Sequence, residues 1–152
     1  MTGSPQPVPD SVPPLEYREV RASWIGTVVL LVALAAGVVS PNRLGIVTLA
    51  VSVVLLLLGM AAFAWSFVVA AGRSRTELLS VAGLYLLSEG APPSVRRHLM
   101  GAEVVQVVSC LTAASIRPFT PVAFGILAPV YGLGVAGVWS ARHGRFRPRT
   151  QN

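Results

Sequence analysis

Four long apolar runs, parted by short breaks rich in proline and arginine, dominate the chain from Ser23 onward. The first run, Ser23 to Val39, follows Glu16, Tyr17, Arg18, Glu19 and Arg21, and its Trp24 sits where an interfacial aromatic belongs. At ~17 residues and ~1.5 Å per residue it lies near the lower limit for crossing a hydrocarbon core of roughly 30 Å. Ser40, Pro41, Asn42 and Arg43 predict a turn, because proline disfavours helix at the residue before it. The second run, Leu44 to Ala71, is about 28 residues long, enough to span with tilt, and Arg73 and Arg75 stop it.

The stretch from Thr76 to Ser88 is apolar but too short to cross, and reads as an interfacial or core-packed helix capped by Thr76 and ended by Glu89, Gly90, Ala91, Pro92 and Pro93. Ser94 is expected to cap the third helix, Val95 to Ile116, which Arg117, Pro118, Phe119, Thr120 and Pro121 terminate. The fourth, Val122 to Ala141, contains Pro129 and should kink there. The fold class expected is an all-α membrane protein with four transmembrane helices, about 23–39, 44–71, 95–116 and 122–141, plus the short interfacial helix at about 76–88. Residues 1–15, rich in Pro and Ser without apolar period, read as a disordered cytoplasmic tail; 16–144 form the transmembrane domain, and 145–152 a basic cytoplasmic tail.

Composition agrees with this reading: 53% of residues are hydrophobic and only 12% charged, about half the charge of an ordinary soluble domain. The net charge of +6 comes from arginines beside the apolar runs, without the interleaved basic and aromatic surface that nucleic acid requires, so no nucleic-acid partner is expected. With four spans, Arg18, Arg21, Arg73, Arg75, Arg96, Arg97, Arg142, Arg145, Arg147 and Arg149 fall on one side and only Arg43 and Arg117 on the other. Retention of basic residues in the cytoplasm then predicts an inner-membrane protein with both termini inside. A rival reading takes the first run as a cleaved signal peptide, with Ala33, Leu34 and Ala35 as its small-residue site.

Little points to chemistry. A carboxylate within a membrane helix is costly, so Glu103 is the residue that most invites a functional role. At about 100° per residue, Arg96, Glu103, Gln106, Cys110 and Arg117 recur along one stripe of helix three, which is therefore expected to face other helices as interhelical hydrogen bonding or as a path for ions. His98 and Glu103 point about 140° apart on that helix, so they do not form a metal pair. Ser109 and Cys110 have no histidine at their depth to activate them, and the lone cysteine excludes an internal disulfide. No catalytic, metal or cofactor-binding set is expected. Ala128, Gly132 and Ala136, flanked by Gly125 and Gly137, and the pair Ala33 and Gly37 give small-xxx-small spacings suited to close helix approach, within the chain or between chains.

The stretches Ala71-Gly72-Arg73-Ser74-Arg75, Arg117-Pro118-Phe119-Thr120-Pro121 and Trp139-Ser140-Ala141-Arg142-His143-Gly144 resemble those of small multi-pass membrane proteins of actinobacteria for which no activity is known. The resemblance implies a source and a membrane location and carries no catalytic residue across. Taken together, the pattern predicts a non-enzymatic accessory or assembly subunit of a larger membrane complex, in contact with lipid and with a membrane-protein partner or its own copies. The alternative is a small oligomeric transporter or channel with Glu103 and Gln106 lining its path.

Overall fold

The computed structural model describes residues 17–74, 77–78, 81–88, 91–144 and 147–148. Both tails expected from the sequence lie largely outside them. Helix α1 spans Arg18–Val39, and starts five residues before the apolar run because Tyr17 takes an extended conformation and accepts the amide of Arg21 at 3.2 Å. Glu19 in the first turn suits the positive end of the helix dipole.

Only Ser40 separates α1 from α2, Pro41–Arg73. The four-residue turn expected there is thus a single non-helical residue: Pro41 needs no amide partner in a first turn, and the Leu44 amide reaches Ser40 O at 2.8 Å. At 33 residues α2 measures roughly 50 Å, well beyond the thickness of a hydrocarbon core. At its end the Arg73 guanidinium donates to Ala141 O at 2.8 Å and Gly144 O at 2.9 Å, placing a cation on the unsatisfied carbonyls of the last helix.

The expected interfacial helix over 76–88 is corrected to α3, Val81–Tyr85, little more than one turn. A short isolated helix is marginal, and here the backbone has other partners. Glu77–Leu78 (β1) pairs antiparallel with Arg147–Pro148 (β2), the one strand pair among the described residues. At the other end Tyr85 stacks on Phe63 of α2 at 4.1 Å and donates to Phe63 O at 3.2 Å, while Leu87 turns inward with φ of 52° and is buried. Thr76, the expected cap, lies outside the described residues, as do Glu89 and Gly90.

Helix α4 spans Pro93–Ile116. Its N-cap is Pro92 rather than Ser94, which is already inside the helix; the fixed φ of Pro93 suits a first helical position, and no side-chain cap bond forms. The fourth span is not one kinked helix. Pro121–Leu127 winds as a 3₁₀ helix, and α5, Val130–His143, begins after Pro129. Proline has no amide to continue an α-helical ladder, so the chain crosses this point on tighter bonds, Ala128 N to Gly125 O at 3.0 Å and Tyr131 N to Ala128 O at 2.9 Å.

The four candidate spans alternate in direction, so Arg18, Arg21, Arg73, Arg96, Arg97 and Arg142 gather at one end and Arg43 and Arg117 at the other. The fourth span is the most deeply covered and α2 the least. Near the arginine-rich end, Val20, Leu87, Val95, Leu99, Val135 and Trp139 form one apolar cluster; toward the far end Leu30, Leu34, Leu55, Cys110, Val122 and Ala128 form another. Outward, the spans present Val32, Leu57, Val104 and Phe124, all more than half exposed. Helices with their backbone bonds satisfied internally and an apolar exterior are what a bilayer demands, and the chain is a multi-pass all-α membrane protein.

The small-residue stripes are spent inside the bundle. Ala128, Gly132, Ala136 and Gly137 are buried, and Thr48 of α2 donates to Ala33 O at 2.7 Å beside Gly37. The closest approach uses two glycines outside those stripes. A Cβ on Gly59 of α2 would stand 2.5 to 2.6 Å from Tyr131 N, Tyr131 Cα and Val130 C, and one on Gly134 of α5 would meet Gly59 O. Backbone lies against backbone here.

Candidate functional site

Every seventh residue of an α-helix returns to nearly the same face, so a stripe at spacings of seven, three, four and seven marks one side of α4 but says nothing of depth. The five stripe residues part company in the structure. Arg96 is exposed at the arginine-rich end, and Arg117, about 30 Å away by helical rise, caps the other end, where its Nε donates to Val38 O of α1 at 3.2 Å. Cys110 is fully buried among Leu30, Leu34 and Ala113, an apolar setting that makes it packing. Glu103 and Gln106 alone come together.

Their meeting point is the junction of α1, α4 and α5. Thr27 of α1 donates its hydroxyl proton to Ser23 O at 2.8 Å, so its oxygen can only accept from Gln106, whose Nε2 donates to it at 2.8 Å. That chain fixes the amide: Gln106 Oε1 points the other way. Oε1 and the Glu103 Oε2 atom are both buried without a hydrogen-bond partner among the described residues, and both face Gly132 of α5. A Cβ on Gly132 would collide with Glu103 Oε2 and stand 3.1 Å from its Cδ and 3.4 Å from Gln106 Oε1. The glycine is what admits the carboxyl to the interior.

Tyr131 closes the junction on the α1 side. Its ring covers Gly26, where any Cβ would strike it, and its hydroxyl donates to Ala22 O at 2.8 Å. The junction thus brings a carboxylate and an amide oxygen to one point within a water-poor setting, held by a fixed amide, a threonine and a tyrosine. Such a pair of acceptors suits a hydrogen-bond donor or a cation. It holds no nucleophile with an adjacent base.

The sequence reading set Glu103 and Gln106 on a shared face, and named Gly132 only as a packing residue. Thr27 was missed. A threonine four residues after Ser23 in an otherwise apolar run was the available signal, since such a hydroxyl satisfies itself on the preceding turn and leaves its oxygen free to accept. The histidines stand apart from the junction: His143 packs against Trp139 and Tyr17 with ring centroids 5.6 and 5.3 Å away. No three His, Cys, Asp or Glu side chains gather as metal ligands among the described residues.

Comparison with protein-family models, curated proteins and solved structures gives no match. These comparisons show no family and no lineage, and the functional argument rests on the geometry.

Proposed function

We propose that this chain is a non-enzymatic accessory subunit that packs through α2 against a helix of another protein in the inner membrane, with both termini cytoplasmic. The observation that carries the reading is the uncovered side of α2. Ala61, Ala64 and Ala71 recur along one exposed face, with the larger Val68, Trp65 and Phe67 beside them, on the least covered of the four spans. Small residues let a second backbone approach closely in lipid, and flanking aromatics supply area. The two stripes buried within the bundle do the same for this chain's own helices, so this third one is the one left for a partner. The gathering of Arg18, Arg21, Arg73, Arg96, Arg97 and Arg142 at one end supports the orientation.

A photoreactive amino acid at Ala64, in tagged protein expressed in its native membrane, tests the assignment. A discrete adduct with a second membrane protein is expected, and an adduct with lipid alone or with the chain itself overturns it.

A second reading, conduction of protons or a small cation, is favoured by the paired acceptors at Glu103 and Gln106. Their placement inside the bundle supports a path through one chain rather than one shared between copies. In proteoliposomes, flux abolished by Glu103→Gln would support conduction, and no flux from the wild type would remove it.

A further inference from the structure

Between the start of α1 and the end of α5 lies a groove of about 590 Å³. Arg18, Arg21 and Arg142 form its mouth, and Ile25, Val135 and Val138 its deeper wall. The division follows from two antiparallel stripes. On α1, positions 18, 21 and 25 share a face; on α5, positions 142, 138 and 135 share the facing one. Each stripe therefore passes from charged to apolar over about 10 Å of helical rise.

The mouth carries surplus positive charge. The Glu19 carboxylate lies 3.3 Å from Arg142 and offsets one guanidinium of the three, while the exposed Arg18 and Arg21 guanidinium groups have no hydrogen bond or ion pair among the described residues. Two of the carbonyls at the end of α5, which would repel an anion, those of Ala141 and Gly144, are already covered by Arg73. Below the mouth, Ile25 is 60% exposed and continues into the outward row of Val28, Val29 and Val32. The inner end of the groove thus opens toward hydrocarbon rather than water.

We propose that this groove binds one anionic glycerophospholipid, its phosphate among Arg18, Arg21 and Arg142 and the upper part of an acyl chain along Ile25 and Val138. A free anion would meet the same arginines but would leave the apolar wall unused. A zwitterionic phospholipid would fit the wall but gain nothing from the surplus charge, because its ammonium cancels its phosphate. Glu19 acts against the ligand: it holds Arg142 in place and lowers the charge the headgroup meets.

Native mass spectrometry of the full chain in mild detergent, titrated with dioleoyl phosphatidylglycerol or dioleoyl phosphatidylcholine, tests the site. One bound phosphatidylglycerol is expected, favoured at least about tenfold over phosphatidylcholine. Each arginine near a headgroup is worth about fivefold, so Arg18→Gln with Arg21→Gln should weaken phosphatidylglycerol binding on the order of 25-fold. Glu19→Gln should tighten it by up to about fivefold, a sign that loss of structure cannot produce. Arg96→Gln with Arg97→Gln removes equal charge at the same end of the bundle but outside the groove, and should leave binding unchanged. Equal retention of both lipids, an equal loss in the Arg96 and Arg97 control, weakening by Glu19→Gln, or displacement by millimolar inorganic phosphate would each overturn the proposal.

Discussion

Replacing Gly59 by alanine should destabilise the bundle although alanine is the better helix former. The added Cβ would stand 2.5 Å from Tyr131 N, against the 3.4 Å at which ordinary contact begins, so α2 and α5 must part by the difference, 0.9 Å. Backbone atoms cannot rotate away as a side chain end would. A gap of that size forfeits a quarter to a half of each contact's attraction, itself about 0.1 to 0.2 kcal/mol per atom pair. Taking the crossing as on the order of 50 such pairs, the loss is roughly 1 to 5 kcal/mol, offset by about 1 kcal/mol of helix propensity. The net cost of up to about 4 kcal/mol brackets the roughly 1 to 3 kcal/mol usual for overpacking. Gly101 of α4 is the control, because nothing lies within 4 Å of a Cβ built there. Titration of the full chain from mild detergent into sodium dodecyl sulfate, followed by far-ultraviolet circular dichroism, should show Gly59→Ala unfolding earlier than wild type and Gly101→Ala no earlier. Equal midpoints for the two variants would refute the close-approach argument.

Gly134→Ala should act in the same direction as Gly59→Ala, and the double variant should cost less than the sum, since helices already parted by one methyl accept the second; unfolding midpoints of the three variants check this. Thr27→Val with Gln106→Leu in a double-mutant cycle should give a coupling of about 0.6 to 1.7 kcal/mol, the range for hydrogen bonds between membrane helices, and no coupling would dissolve the polar junction as a unit. Arg73→Gln should expose the end of α5, and hydrogen exchange at His143 and Gly144 should quicken by about tenfold or more, as expected for the loss of charge-assisted bonds worth roughly 1.5 to 3 kcal/mol. In a Cys110→Ser background, Asn42→Cys should react with a membrane-impermeant maleimide added outside intact cells while Ser94→Cys should not; the reverse pattern would invert the orientation.

Much of the fold was legible because each span is a local fact. An apolar run either is long enough to cross a bilayer or is not, and Leu44 to Ala71 and Val95 to Ile116 announced themselves by length and by the arginines at their ends. The bounds and the winding shifted where a backbone had a choice of partner. The stretch 76–88 carried too few residues to hold a helix alone, and its conformation followed from Tyr85 stacking on Phe63 and from the pairing of Glu77–Leu78 with Arg147–Pro148. Pro129 announced a break, but whether the preceding turns stayed α-helical or tightened to 3₁₀ depended on their packing against α2 and α4.

By itself the sequence determined the number of spans, the end at which most arginines gather, and the shared face of Glu103 and Gln106 on α4, because length, charge and a rotation of about 100° per residue are properties of a single segment. Only the tertiary structure decided which face meets which. Thr27 fixes the amide of Gln106, Gly132 makes room for the carboxyl of Glu103, and Gly59 lies against Gly134, all between residues at least 29 positions apart in the chain and brought together by the packing of separate helices. No periodicity within one helix can encode such a pairing, since it is set by the fit of two surfaces at once.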